Sequence, residues 1–120
     1  MLLRAVRGAT TLREDTAEEV MSATAYLLEE ILRRNDISRE DLVSIMFTAT
    51  ADIRSEFPAA AARKIGLADV PLMCAREIDV TGAMPLCIRV MVHAYTERER
   101  GALRHVYLGD ARSLRDDLPE

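Results

Sequence analysis

Leu86-Cys87-Ile88-Arg89-Val90-Met91-Val92-His93-Ala94-Tyr95 contains neither glycine nor proline and is rich in β-branched and aliphatic residues. That composition predicts a strand over 86–95, the longest in the chain. Side chains alternate across a strand, so Leu86, Ile88, Val90 and Val92 share one side. Cys87, Arg89, Met91 and His93 share the other. Both sides are largely apolar, as in a sheet covered on both faces. Arg89 then stands among apolar neighbours whichever side it takes, and a buried guanidinium without a partner costs several kcal/mol, roughly. It forms an ion pair, with Glu77 or Asp79, or it awaits an anionic or electron-rich ligand.

The neighbouring segments build outward from this strand. Upstream, 71–78 reads as a strand, separated from it by a turn at Val80-Thr81-Gly82. Downstream, charged residues 97–101 form a loop and 104–108 a short strand. The run 43–50 is β-prone throughout and predicts a strand buried on both faces or nearly so. Between them, Phe57-Pro58 opens a short helix over 59–65, closed by Gly66. Near the start, 2–7 is a short strand, and Gly8 with the threonines after it makes a turn.

The longest periodic segment follows Thr16. Ala17, Val20, Met21, Thr24, Leu27, Leu28, Ile31 and Leu32 recur at helical spacing and form one apolar stripe. Thr16 and Glu19 fit a capping box, and Asn35-Asp36 ends the helix after Arg33 and Arg34, cations placed where the helix dipole favours them. The polar face is mixed charge, so this helix reads as scaffold.

The order β-α-β-α-β-β-β predicts an α+β fold: one domain over 1–120, with a mixed five-stranded sheet packed by one long and one short helix. One long helix cannot cover two sheet faces, so a partner subunit is the simplest cover for the second.

Composition narrows the function. The 120 residues suit one domain. A net charge of −4 argues against a nucleic-acid binder, because no basic excess is present to neutralise phosphates. Fifteen of the sixteen basic residues are arginine, Lys64 being the exception. Source composition explains such a bias, and so does recognition of carboxylates by guanidinium forks. Arg4 and Arg7 interrupt any signal-peptide core, and no apolar run approaches the ~18 residues of a membrane span. Cys74 and Cys87 read as free thiols, and the two cysteines and two histidines show no zinc spacing. His93 and His105 read as packing or surface histidines. No nucleophile elbow, phosphate loop or dinucleotide fingerprint occurs. The chain therefore has a candidate anion site and no evident nucleophile.

Five blocks then resemble the monofunctional, trimeric chorismate mutases of bacteria, which are distinct from the all-helical type. They are Val6-Arg7-Gly8-Ala9-Thr10-Thr11, Glu56-Phe57-Pro58-Ala59-Ala60-Ala61-Ala62-Arg63, Cys74-Ala75-Arg76-Glu77-Ile78-Asp79-Val80-Thr81-Gly82, Leu86-Cys87-Ile88-Arg89 and Arg104-His105-Val106-Tyr107-Leu108. They occur in the family's order across nearly the whole chain.

The resemblance implies a cytoplasmic homotrimer, a pseudo-α/β barrel with active sites between subunits and no cofactor or metal. Its substrate would be chorismate, rearranged to prephenate in aromatic amino-acid biosynthesis. One subunit would supply Arg7, Cys74, Glu77, Arg89 and Tyr107; its neighbour would supply Phe57, Ala59, Arg63 and Met73. Arg89 and Glu77 would be catalytic, and the others would bind substrate, with Arg115 helping to cover it. Ala60 stands where the family can carry a lysine. Two other readings are weighed beside this one: a trimeric module that binds carboxylates without turnover, and a reactive enamine/imine deaminase-like enzyme. The second needs an activated water, for which the sequence offers no dedicated group.

Overall fold

A computed structural model describes residues 1–114. It contains β1 (Leu2–Thr11), α1 (Ala17–Asn35), β2 (Leu42–Ala49), α2 (Pro58–Lys64), β3 (Leu72–Arg76), β4 (Cys87–Thr96) and β5 (Val106–Tyr107), with short 3-10 segments between some of them. The five strands form one mixed sheet in the order β3-β2-β4-β1-β5. β4 lies at its centre, antiparallel to β1 and β2. The outer pairs, β2 with β3 and β1 with β5, are parallel. This is the α+β architecture expected from the element order.

Helix packing divides the sheet into two unlike faces. Leu27, Leu28 and Ile31 of α1 and Ala59 and Ala62 of α2 share a core with Val6, Ile45, Phe47, Val90 and Val92 of the strands. A fully buried aliphatic side chain contributes ~1.5–3 kcal/mol, so this layer carries most of the stability. The opposite face presents Leu3 and Arg7 from β1, Met46 and Thr48 from β2, Met73 from β3, and Arg89, Met91, His93 and Tyr95 from β4, in register across the ladders. Neither α1 nor α2 covers it; only its end at Ala9, Cys87 and Tyr107 is closed, by the 3-10 segment Gly109–Leu114 through Ala111. Leu3, Met46, Met73 and Tyr95 are exposed there.

Two burial expectations change accordingly. β2 is buried on one face only. Arg89 is not enclosed by apolar neighbours; its side chain is 44% exposed. Apolar composition on both parities records two apolar faces, but not that one chain covers both.

Three local expectations also need correction. Gly8 and the threonines do not turn; β1 continues through them to Thr11. Gly8 is needed for contact, since a Cβ there would lie 2.7 Å from Ile31 Cδ1 and 3.1 Å from the Val106 carbonyl oxygen. Only half of the capping box forms. Thr16 Oγ1 accepts from the Glu19 N–H at 3.1 Å, while Glu19 accepts from the Arg13 N–H instead of closing on Thr16. β5 is two residues long, because Asn35 takes the backbone of Arg104 in place of a strand partner.

The end of α1 closes as its composition suggests. Asp36 adopts a left-handed conformation, and its N–H reaches back to the last turn. Glu30 accepts from Arg33 Nε at 2.9 Å, from Arg33 Nη2 at 2.8 Å and from Arg34 Nε at 3.0 Å. These bonds, that of Arg33 first, lower its pKa from 4.5 to about 2 despite burial. A depressed folded pKa stabilises the protein above pH 4.5, and the gain is lost as pH falls toward 2. Glu30→Gln is therefore expected to lower the neutral-pH Tm by a few degrees, an effect of ~1–2 kcal/mol. It should also flatten the acid limb between those values, as followed by thermal unfolding at stepped pH. An unchanged limb would refute the assignment.

Candidate active site

The ladders bring together residues far apart in sequence. Arg89 of β4 faces Thr48 of β2 on one side and Ala9 of β1 on the other. Glu77 follows β3 directly, and its N–H donates to the Ala49 carbonyl at 2.9 Å, which extends the β2–β3 pairing by one step. Its carboxylate thereby reaches the uncovered face. Glu77 Oε1 forms an ion pair with Arg89, 2.9 Å from Nε, and Oε2 accepts from the Thr48 hydroxyl. Arg89 lines a cleft of about 300 Å³ together with Arg7, Met46, Thr48, Glu77, Met91 and Tyr107. Its side chain is paired with one carboxylate and half exposed at that cleft.

Backbone features hold this arrangement in place. Leu86 precedes β4 at φ 48°, an uncommon conformation for leucine. Its N–H donates to Asp52 Oδ2 at 2.9 Å, its carbonyl accepts from the Leu12 N–H at 2.8 Å, and the next N–H, of Cys87, donates to Thr50 Oγ1 at 3.0 Å. Three bonds at the strand start define where Arg89 stands. Tyr107 of β5 pairs with Ala9 and is buried against Ala9, Cys87 and Ala111. Burial also pushes the Cys87 thiol above its ordinary pKa, so it offers no thiolate nucleophile.

The remaining expected site residues lie elsewhere on the protomer. β3 runs in uninterrupted register through Arg76, with no bulge between Cys74 and Glu77. Cys74 therefore occupies the opposite face, against the core, and does not join Arg89 and Glu77. It lines a second groove, of about 310 Å³, with Ala49, Ile53, Arg54, Phe57 and Arg76. Phe57 is exposed at that groove, at the start of α2. Ala59 is buried on the core side of α2 and Arg63 is exposed on the same helix, while Met73 is exposed on the uncovered sheet face beside Met46. Arg115 lies outside the described residues. One protomer thus presents two separate sets: Arg7, Met73, Glu77, Arg89 and Tyr107 on the uncovered sheet face, and Phe57, Arg63 and Cys74 on the helix side.

Thr48, Met46 and Met91 were not singled out by sequence. Thr48 is one of many threonines, and only the register opposite Arg89 distinguishes it. Among the described residues, no three histidine, cysteine or acidic side chains gather as a metal site, and no helix is long and apolar enough to cross a membrane.

Comparison with known proteins identifies the family. The family model for chorismate mutase type I matches residues 3–118. The chain is 44% identical over 119 residues to chorismate mutase AroH of Bacillus subtilis (strain 168), covering 98% of this chain and 94% of that protein. It is 47% identical over 118 residues to chorismate mutase AroH of Thermus thermophilus, covering 98% and 97%. A solved chorismate mutase from Clostridium thermocellum superposes with a TM-score of 0.90 at 44% identity, over 92% of this chain and 98% of that one. A matching family model over nearly the full length, together with two full-length relatives, makes this chain a member of the chorismate mutase type I family.

Proposed function

We propose that this protein catalyses the rearrangement of chorismate to prephenate, with Arg89 as its central cation. The observation that carries the reading is the Arg89 guanidinium, paired with Glu77 and half exposed at the cleft that Arg7 and Tyr107 also line. Chorismate carries two carboxylates, a ring hydroxyl and an enolpyruvyl ether. In the concerted reaction the ether C–O bond breaks as a C–C bond forms, and no proton need be transferred. The protein has to select a compact conformer and stabilise the charge that grows on the ether oxygen.

Arg89 faces that oxygen with its terminal nitrogens, where its effect is larger in the transition state than in the ground state. Glu77 keeps the fork oriented and accepts a hydrogen bond from the ring hydroxyl. Arg7 and Tyr107 bind the side-chain carboxylate. Phe57, Ala59, Arg63, Met73 and Cys74 come from the adjoining subunit, with Arg63 drawing in the ring carboxylate and the others forming walls. The separation of Phe57, Arg63 and Cys74 from the Arg89 face supports a shared site, and exposed Leu3, Met46, Met73 and Tyr95 support the uncovered sheet face as the trimer interface. Arg115 covers the ligand, and the enzyme works in the cytoplasm.

Even modest enzymatic acceleration requires ~8 kcal/mol. One preorganised contact to a developing oxyanion supplies ~3–4 kcal/mol, which leaves much of the rest to conformer selection. Positioning of Glu77 should therefore count. Thr48→Val removes the hydroxyl donor and is expected to lower kcat/KM by about tenfold, the scale of one hydrogen bond to a charged group. Thr48→Ser should keep most of the activity; equal loss in both variants would show that the hydroxyl is not responsible.

The function itself is tested by following chorismate absorbance with purified protein, identifying the product, and measuring mass by light scattering. Loss of chorismate with prephenate formed by a trimer is expected. Binding of chorismate by a folded trimer without turnover would overturn the reading in favour of a carboxylate-binding module.

A further inference from the structure

His105 is a nearly buried side chain that the chemistry above does not use. Its Nδ1 accepts the backbone N–H of Arg7 at 2.9 Å, across 98 residues of sequence. The bond lies where the sheet runs out of main-chain partners. β5 pairs with β1 only at Gly8–Val106 and Ala9–Tyr107. One residue earlier, the imidazole takes the place of a ladder carbonyl for Arg7. An unsatisfied N–H at that point would leave the end of the ladder loose.

The imidazole is itself held from behind. Asn35, fully buried at the end of α1, donates Nδ2 to the Arg104 carbonyl at 2.8 Å and accepts the Arg104 N–H on Oδ1 at 2.7 Å. Nδ2 also donates to the Ile31 carbonyl at 2.9 Å. The residue before His105 is thus clamped at both backbone groups to the helix. For Nδ1 to accept, the neutral ring carries its proton on Nε2. Helix, Asn35, Arg104, His105 and the Arg7 backbone then form one chain of bonds ending beside the cleft that Arg7 lines.

From this we infer that His105 is a positioning residue for substrate binding. Its Nδ1 sets the backbone of Arg7, and so the angle at which the Arg7 guanidinium meets a carboxylate. The inference rests on the proposed role of Arg7 as a carboxylate ligand. Bidentate recognition of a carboxylate depends on fork geometry, so a small backbone shift is felt as lost binding.

The test is steady-state kinetics with chorismate on the assembled enzyme. His105→Leu is expected to raise KM about tenfold, the scale of one lost hydrogen bond, with a smaller change in kcat. His105→Asn brings Oδ1 near the position of Nδ1 and should restore KM to within about threefold of the parent, within a factor set by imperfect geometry. His105→Gln reaches past that position and should not. If the leucine variant fails to fold, the Asn and Gln pair decides alone. In an Arg7→Ala background, adding His105→Leu should change KM little, because the group being positioned is gone. Equal damage in Asn and Gln, or independent multiplication of the Arg7 and His105 effects, would overturn the inference. A normal KM for Arg7→Ala alone would instead overturn the role of Arg7, and the inference with it. Absence of turnover in the parent enzyme would show that the proposed function had failed first.

Discussion

Replacing Arg89 with lysine should lower kcat by about 10³-fold, although the charge is kept, which is the upper end of what one oxyanion-directed donor contributes. Arginine offers five donors in a plane, so one side chain can pair with Glu77, at 2.9 Å through Nε, and still present donors to substrate. A lysine ammonium is one point of charge on a flexible stem. Beside Glu77 it would pair with the carboxylate and withdraw from the ether oxygen. The loss should appear in kcat more than in KM, because the charge it answers grows only as the C–O bond breaks. Kinetics on a variant with unchanged assembly and unfolding temperature would check this. Near-normal turnover would remove Arg89 from the central role.

The second large effect is expected at a residue with no side chain. Gly8→Ala would place a methyl 2.7 Å from Ile31 Cδ1, 3.1 Å from Val90 Cγ1 and 3.1 Å from the Val106 carbonyl oxygen. The tip of Ile31 can rotate away. The carbonyl cannot retreat without moving β5, which is paired to β1 at this residue and the next. Overpacking of this kind costs ~1–3 kcal/mol, and for a chain of this size the Tm should fall by ~4–12 °C. Tyr107 lies on β5, so kcat/KM should fall as well, even well below the new Tm. Thermal unfolding and kinetics at 25 °C measure the two effects separately. An unchanged Tm would mean that α1 gives way freely and that Gly8 is not needed for packing. A lower Tm with normal kinetics would separate Gly8 from the placement of Tyr107.

Much of this fold was legible because short-range rules control it. The stripe from Val20 to Ile31 folded as a helix with Thr16 and Asp36 at its ends. Phe57-Pro58 opened the second helix, and the β-branched runs became strands. The misread turn at Gly8 has a single cause: glycine is used both to turn a chain and to let another element approach closely. Only the neighbour distinguishes these uses, and that neighbour is Ile31 on α1.

For the site, residue chemistry singled out Arg89, with Glu77 or Asp79 as its partner; the resemblance added Arg7 and Tyr107 and attached the roles. The grouping of Cys74 with Glu77 did not survive. The two residues are three apart, and the regular β3 register keeps them on opposite faces. Thr48 and His105 were beyond reach, since each matters only through a partner on another strand.

Sequence alone therefore determined the elements, their order and a candidate anion site. Periodicity, capping and residue chemistry are local properties, written along the chain. The tertiary structure decided which strands are neighbours, which face stays open, and how Arg89 and Arg7 are held. Those depend on the strand order β3-β2-β4-β1-β5, set by the packing of α1 and α2 on one side of the sheet. Contacts across such a sheet arise between residues tens of positions apart, and no local pattern records them.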